Sequence, residues 1–115
     1  MRALVVDALR MDGFAVEEVG DGRNMRVRAT QSVYDLVVSD LRLPLGDGLT
    51  VLEDLRVRAP SATTQMILMT AFADDSVRLR TARLGAVLLE KPFKLNELRA
   101  AARRLCEIAA SRGSE

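Results

Sequence analysis

The residues from Tyr34 to Asp40, YDLVVSD, carry apolar side chains at consecutive rather than alternate central positions, and this constrains the chain more than any other feature. A strand with one face in water alternates. A run that is apolar at successive positions must be covered on both sides, as in the middle of a parallel sheet between two layers of helix. The same character returns in TQMILMT, Thr64 to Thr70, and in the shorter AVLLEK, Ala86 to Lys91, which is bounded by Gly85 and Pro92. A further strand is expected at FAVEEV, Phe14 to Val19, which alternates at first and ends in the turn cluster Gly20-Asp21-Gly22.

Helical patterns lie between these runs. Leu49, Leu52 and Leu55 recur at three-residue spacing with Val51 beside them, and Pro60 marks the stop beyond. Val77, Ala82 and Leu84 follow Asp74-Asp75, acids suited to a helix N-terminus, and end at Gly85. Leu95, Leu98, Ala102, Leu105 and Ala109 trace one face of a last helix. Arg23 to Thr30 is the poorest helical pattern, with Met25 and Ala29 its only clear apolar pair. Strand and helix therefore alternate, the signature of an α/β domain with a parallel sheet. At 115 residues the chain fits one domain, residues 1–115, with 110–115 expected as a frayed tail. Aromatic residues are 3% against 49% hydrophobic, so the core is aliphatic.

Charge and cysteine usage narrow the function. With 17 basic and 16 acidic residues the formal net charge is +1, which gives no electrostatic reason to expect nucleic acid or an anionic membrane as partner. Cys106 is the only cysteine and histidine is absent, which excludes an internal disulfide and a cysteine-based zinc site. Cys106 reads as a small packing residue. No apolar run approaches the roughly 20 residues of a membrane span, and no export signal is visible, so a cytoplasmic location is expected.

In a parallel α/β sheet, ligands bind outside the carboxyl ends of the strands. Asp40, Thr70 and Lys91 each close an expected strand. Taken singly, such residues are usually a turn former, a β-propensity residue and a solvated cation. Together on neighbouring strands, a carboxylate, a hydroxyl and an ammonium suit reversible phosphorylation: Asp40 as nucleophile, Lys91 as cation for the phosphoryl oxygens, Thr70 as hydrogen-bond donor, with the N–H of Ala71 assisting.

The segments YDLVVSDLRLPLGDGLTVLEDLR, ILMTAF, LGA and EKPF, in this order and at nearly this spacing, resemble the receiver domain of two-component response regulators. The resemblance runs from about Gly13 to Ile108, and DLRLPLGDG and EKPF are its most diagnostic parts. It implies a flavodoxin-like doubly wound sheet of order 2-1-3-4-5. It also implies a phosphoacceptor at Asp40 charged by a histidine kinase or phosphotransfer protein, phosphoryl contacts from Thr70 and Lys91, and a cis bond at Lys91-Pro92. Mg²⁺ is the implied cofactor, held by Asp40, the carbonyl oxygen of Arg42 and two adjacent acids that receivers carry after their first strand. The chemistry needs such a cation, because a carboxylate attacking an anionic phosphoryl group meets repulsion.

Two departures stand out. Receivers carry an aromatic residue three positions before the lysine, where it couples phosphorylation to the output face; here that position is Leu88, and Gly85 to Lys91 is about one residue short. Leu88 is either a changed switch or plain aliphatic filling. The second departure lies in MRALVVDALRMDGF. ALVVDA looks like the first strand with a single acid, Asp7, but only six residues separate Asp7 from Phe14, and a parallel crossover needs at least roughly ten to twelve. Read as a helix, Leu4, Val5, Ala8 and Leu9 form an apolar face, with Met11 near its end and Gly13 as stop. The helix reading fits better, although Val5-Val6 is β-branched. It leaves no first strand and no acidic pair, hence a weak or absent Mg²⁺ site. It also leaves unpaired backbone between two strands, from which a homodimer or strand exchange is expected.

The leading expectation is therefore a phosphorelay receiver acting on a downstream protein partner. The alternative is a degenerate receiver that binds partners without phosphorylation. A stand-alone enzyme lacks a histidine or a second nucleophile with a base. A flavodoxin-type cofactor protein lacks the aromatics to hold a flavin. Arg78, Arg80 and Arg83 read either as a docking surface or as a solvated helix face.

Overall fold

The computed structural model describes residues 2–58 and 64–113. Its elements in chain order are α1 (Arg2–Met11), α2 (Gly22–Gln31), β1 (Leu36–Asp40), β2 (Arg42–Leu43), β3 (Gly46–Asp47), α3 (Gly48–Val57), β4 (Gln65–Thr70), α4 (Asp75–Leu84), β5 (Val87–Glu90) and α5 (Leu95–Gly113). The three strands expected from consecutive apolar runs are present and parallel, in the order β1-β4-β5, with Val38 opposite Ile67 and Leu68 opposite Leu88. β2 and β3 form a small separate hairpin.

Successive side chains of the sheet enter two apolar layers, which is why the runs do not alternate. Val37, Met66, Leu68 and Leu88 pack on one face with Leu49, Leu52 and Leu55 of α3 and Met25 and Ala29 of α2. Leu36, Val38, Ile67, Met69, Val87 and Leu89 pack on the other with α1 and α5, through Val5, Leu9, Leu98, Ala102 and Leu105. This is a doubly wound α/β arrangement.

Helix starts and stops follow local chemistry. Carboxylates of Asp21, Asp47 and Asp74 accept hydrogen bonds from the N–H groups of Asn24, Thr50 and Val77, satisfying donors that the first turn leaves open. That cap is what makes α2 a helix despite its meagre apolar stripe. α4 stops where Gly85 takes the left-handed conformation, φ 69°.

Five expectations are corrected. Residues 14–19 form no strand among the described residues, although Phe14 and Val16 pack on the α1–α5 layer and Val19 on the other. Of the order 2-1-3-4-5, only the last three strands stand in the sheet. The stretch Arg2–Met11 is helical, as the crossover length requires, yet its buried side is Val5, Val6, Ala8 and Leu9, while Leu4 and Met11 are exposed. Helix α5 runs through most of the expected tail to Gly113, since Ala-Ala-Ser-Arg contains no breaker. On α4 the inward position is Thr81 rather than Ala82, and its hydroxyl bonds the Val77 carbonyl at 2.7 Å. Pro60 lies outside the described residues, as does the side chain of Ala109.

Candidate functional site

The carboxyl ends of β1, β4 and β5 are tied into one rim by backbone. Leu41 N–H donates to the Met69 carbonyl at 2.8 Å, and Lys91 N–H donates to the Thr70 carbonyl at 2.7 Å. Asp40 therefore ends the outer strand, Thr70 the central one, and Lys91 follows the far one. The amine of Lys91 reaches back across the rim to Asp40, with Nζ 2.5 Å from Oδ1. The side chains are 33% exposed for Asp40 and 27% for Lys91, so the pair is reachable from solvent but not freely hydrated. Asp40 Oδ1 itself is enclosed and, among the described residues, takes no aligned hydrogen bond, so it is the Lys91 ammonium that faces its charge.

Thr70 lies on the same rim but its hydroxyl is engaged in its own turn, donating to the Phe72 carbonyl at 2.8 Å and accepting from Phe72 N–H at 3.2 Å. To meet a group on Asp40 it must leave that turn. Ala71 is exposed at the bend between them. Arg42 is exposed in β2, opposite Asp47. The Lys91-Pro92 peptide is cis. Leu88 is half-buried against Leu68 and the α3 side of the core, filling aliphatic volume.

Two residues that hold the rim escaped the sequence reading. Ser39 is buried and donates from Oγ to the Asp40 carbonyl at 2.8 Å. Gly48 opens α3 against the end of β1, its N–H on the Leu41 carbonyl at 2.7 Å, so close that an added Cβ would stand 1.9 Å from the Asp40 carbonyl oxygen. The Gly-Asp-Gly motif after Asp40 carries the signal for it, since only glycine permits that approach.

The arginines of α4 are committed to ion pairs: Arg78 to Glu90 at 2.8 Å, and Arg80 to Glu53 of α3 at 2.5 Å. Arg83 is exposed. This is a solvated face laced with pairs. Burial, with Asp35 nearby, pushes the Cys106 thiol up, in keeping with a packing role.

A receiver's Mg²⁺ needs several oxygen ligands, usually including carboxylates. Among the described residues no three His, Cys, Asp or Glu side chains converge to hold a metal, and Asp40 is already faced by a cation. The residues present do not fit the group.

The model of the response regulator receiver domain family matches residues 1–103. A probable chemotaxis protein CheY of Rhizobium etli is 34% identical over 102 residues, spanning 87% of this chain and 79% of that protein. The transcriptional regulatory protein TctD of Salmonella typhimurium is 37% identical over 109 residues, and there the chain spans 48% of the relative's length. Among solved structures, the receiver domain of the sensor histidine kinase PA1611 from Pseudomonas aeruginosa, which carries magnesium in its active-site cleft, superposes with a TM-score of 0.80 at 29% identity, covering 92% of this chain and 88% of that one. A CheY-like receiver from Methanospirillum hungatei reaches 0.87 at 18% identity over 96% and 88%, a likeness of fold.

Proposed function

The chain belongs to the response regulator receiver domain family, and we propose that within it Asp40 is the residue that accepts the phosphoryl group. Receivers are signalling modules of phosphorelays, and this one is homologous to chemotaxis and transcriptional response regulators. The donor is a phosphohistidine of a kinase or phosphotransfer protein. An Asp40 carboxylate oxygen attacks the phosphorus, the O–P bond forms, and the P–N bond breaks with its electron pair returning to the imidazole. Lys91, now 2.5 Å from Asp40, shifts to the phosphoryl oxygens and offsets their charge. Thr70 and Ala71 N–H supply hydrogen bonds to the same oxygens. That Asp40–Lys91 contact is the observation that supports the assignment best.

The output is a contact with a downstream protein, and self-association at the open edge of β1 belongs to the same reading. On this reading the signalling runs in the cytoplasm, where a histidine kinase would supply the phosphoryl group. Separately, no helix among the described residues is long and apolar enough to cross a membrane. Mg²⁺ is bound weakly or not at all, so titration with MgCl₂ gives no saturable heat. A phosphorylation-independent role gains no support over this one from the relatives.

Incubation with acetyl phosphate followed by intact mass tests the assignment. One added phosphoryl group on the wild type and none on Asp40→Asn is expected. No addition under conditions that label a competent receiver, or equal labelling of the variant, overturns it.

A further inference from the structure

Lys91 carries its ammonium on a long flexible stem, so where that charge sits depends on how firmly its backbone is held. β5 is poorly suited to hold it. The strand pairs with β4 alone among the described residues and leaves Val87, Leu88 and Leu89 only half-buried. Lys91 N–H on the Thr70 carbonyl is one tie, and Phe93 packed on the α1–α5 layer is another. Neither acts on the α4 face of the strand end.

Glu90 supplies that third tie. Side chains alternate along a strand, so while Lys91 turns to Asp40, Glu90 turns to α4 and accepts a hydrogen bond from Arg78 Nη2 at 2.8 Å. A second pair sets α4 itself. Arg80, two residues on and so on the opposite flank of the helix, grips both carboxylate oxygens of Glu53 on α3, at 3.1 and 2.5 Å. α3 is the helix whose first residue, Gly48, is seated against the Asp40 carbonyl. The ties therefore close on themselves: α3 meets the end of β1, α4 meets α3 through Arg80, β5 meets α4 through Arg78, and Lys91 returns to Asp40. The acid and its cation are held from one frame. Thr81 is the only residue of α4 that is fully buried among those described, so charged contacts rather than a wide apolar face set the place of this helix.

We propose that Arg78 is a positioning residue for phosphoryl transfer: through Glu90 it fixes the end of β5, so that the Lys91 ammonium meets the phosphoryl oxygens when it leaves Oδ1. The role rests on Asp40 accepting the phosphoryl group. The side chains of the pair are 52% and 50% exposed, so the effect is modest, in the range of an exposed ion pair.

Labelling of the whole chain by acetyl phosphate, followed by intact mass across a range of donor concentrations, tests it. Arg78→Met is expected to lower the saturating rate about two- to fivefold without moving the half-saturating concentration. Arg78→Lys, which can still meet Glu90, is expected to keep most of the rate. Arg83→Met, which removes an exposed arginine elsewhere on α4, keeps the full rate. Exchange of the Lys91 amide hydrogen quickens by a similar factor in Arg78→Met, while slow exchange at Ile67 and Leu68 shows the variant folded. Equal saturating rates for the wild type and Arg78→Met overturn the proposal, as does a loss shared by Arg83→Met or undiminished in Arg78→Lys. A wild type that takes no label fails the Asp40 reading instead; unchanged exchange at Lys91 in Arg78→Met then overturns the brace on its own.

Discussion

β1 and β4 begin from nearly the same sequence character and end in different surroundings. LVVSD and QMILMT are both apolar at successive positions. β4, paired on both sides, is buried from Met66 to Thr70, whereas β1, paired on one side, buries only Ser39 fully. Composition announces which strands want two covered faces. Only the neighbours decide whether they obtain them, and among the described residues β1 has a strand neighbour on one side only.

The largest expected effect sharpens this contrast. Leu68→Ala removes a side chain with no exposed surface and is expected to cost roughly 2 to 5 kcal/mol. Val37→Ala, on the half-buried strand, is expected to cost about 1 kcal/mol or less. Urea unfolding of both variants checks it, and equal losses would erase the distinction.

Gly48→Ala asks whether β1, open along its length, is nevertheless closed at its carboxyl end. The new Cβ would collide with the Asp40 carbonyl and lie 2.6 Å from Ser39 Oγ, so α3 must back away. A loss of about 1 to 3 kcal/mol is expected, with phosphorylation at Asp40 impaired beyond what lost folding explains. Unfolding curves and intact mass on the same sample separate the two effects.

A smaller effect concerns the link between α1 and α5. Asp12, just past α1, is held to α5 by Arg99 at 2.7 Å, with Arg103 further off. The hydrogen bond from Arg99 keeps the Asp12 carboxyl below its ordinary 3.8. A carboxylate with a depressed folded pKa stabilises fully above its unfolded value and loses that contribution as pH falls through the folded one. The stability gap between wild type and Asp12→Asn is therefore present at neutral pH and closes on acidification below 3.8. Urea midpoints at neutral and strongly acid pH show it; a gap that widens in acid contradicts the pairing.

The smallest effect lies in the β2–β3 turn. Leu45 is 70% exposed and sits at φ 53°, a conformation L side chains avoid. Leu45→Asn, which tolerates it, is expected to add about 0.5 kcal/mol to stability.

Most of the architecture was legible because periodicity and caps are local. The three parallel strands, the last three helices and the Gly85 stop can be read from residue types alone, and crossover length alone decided for a helix at the N-terminus. The rim was legible in outline: Asp40 and Lys91 meet, as strand ends in a parallel sheet must. What escaped is relational. FAVEEV keeps a strand's residue pattern although it joins no strand among the described residues, nothing in Thr70 says that its hydroxyl is spent on Phe72, and Ser39 becomes a support only once Gly48 lets α3 close on it.

The Asp40–Lys91 contact spans the sheet from its open margin to its far one, passing over the end of β4. Two oppositely charged atoms 2.5 Å apart leave no room for a third group. A group seated on Oδ1 therefore needs the Lys91 ammonium to move off that oxygen, and Lys91 directly follows β5.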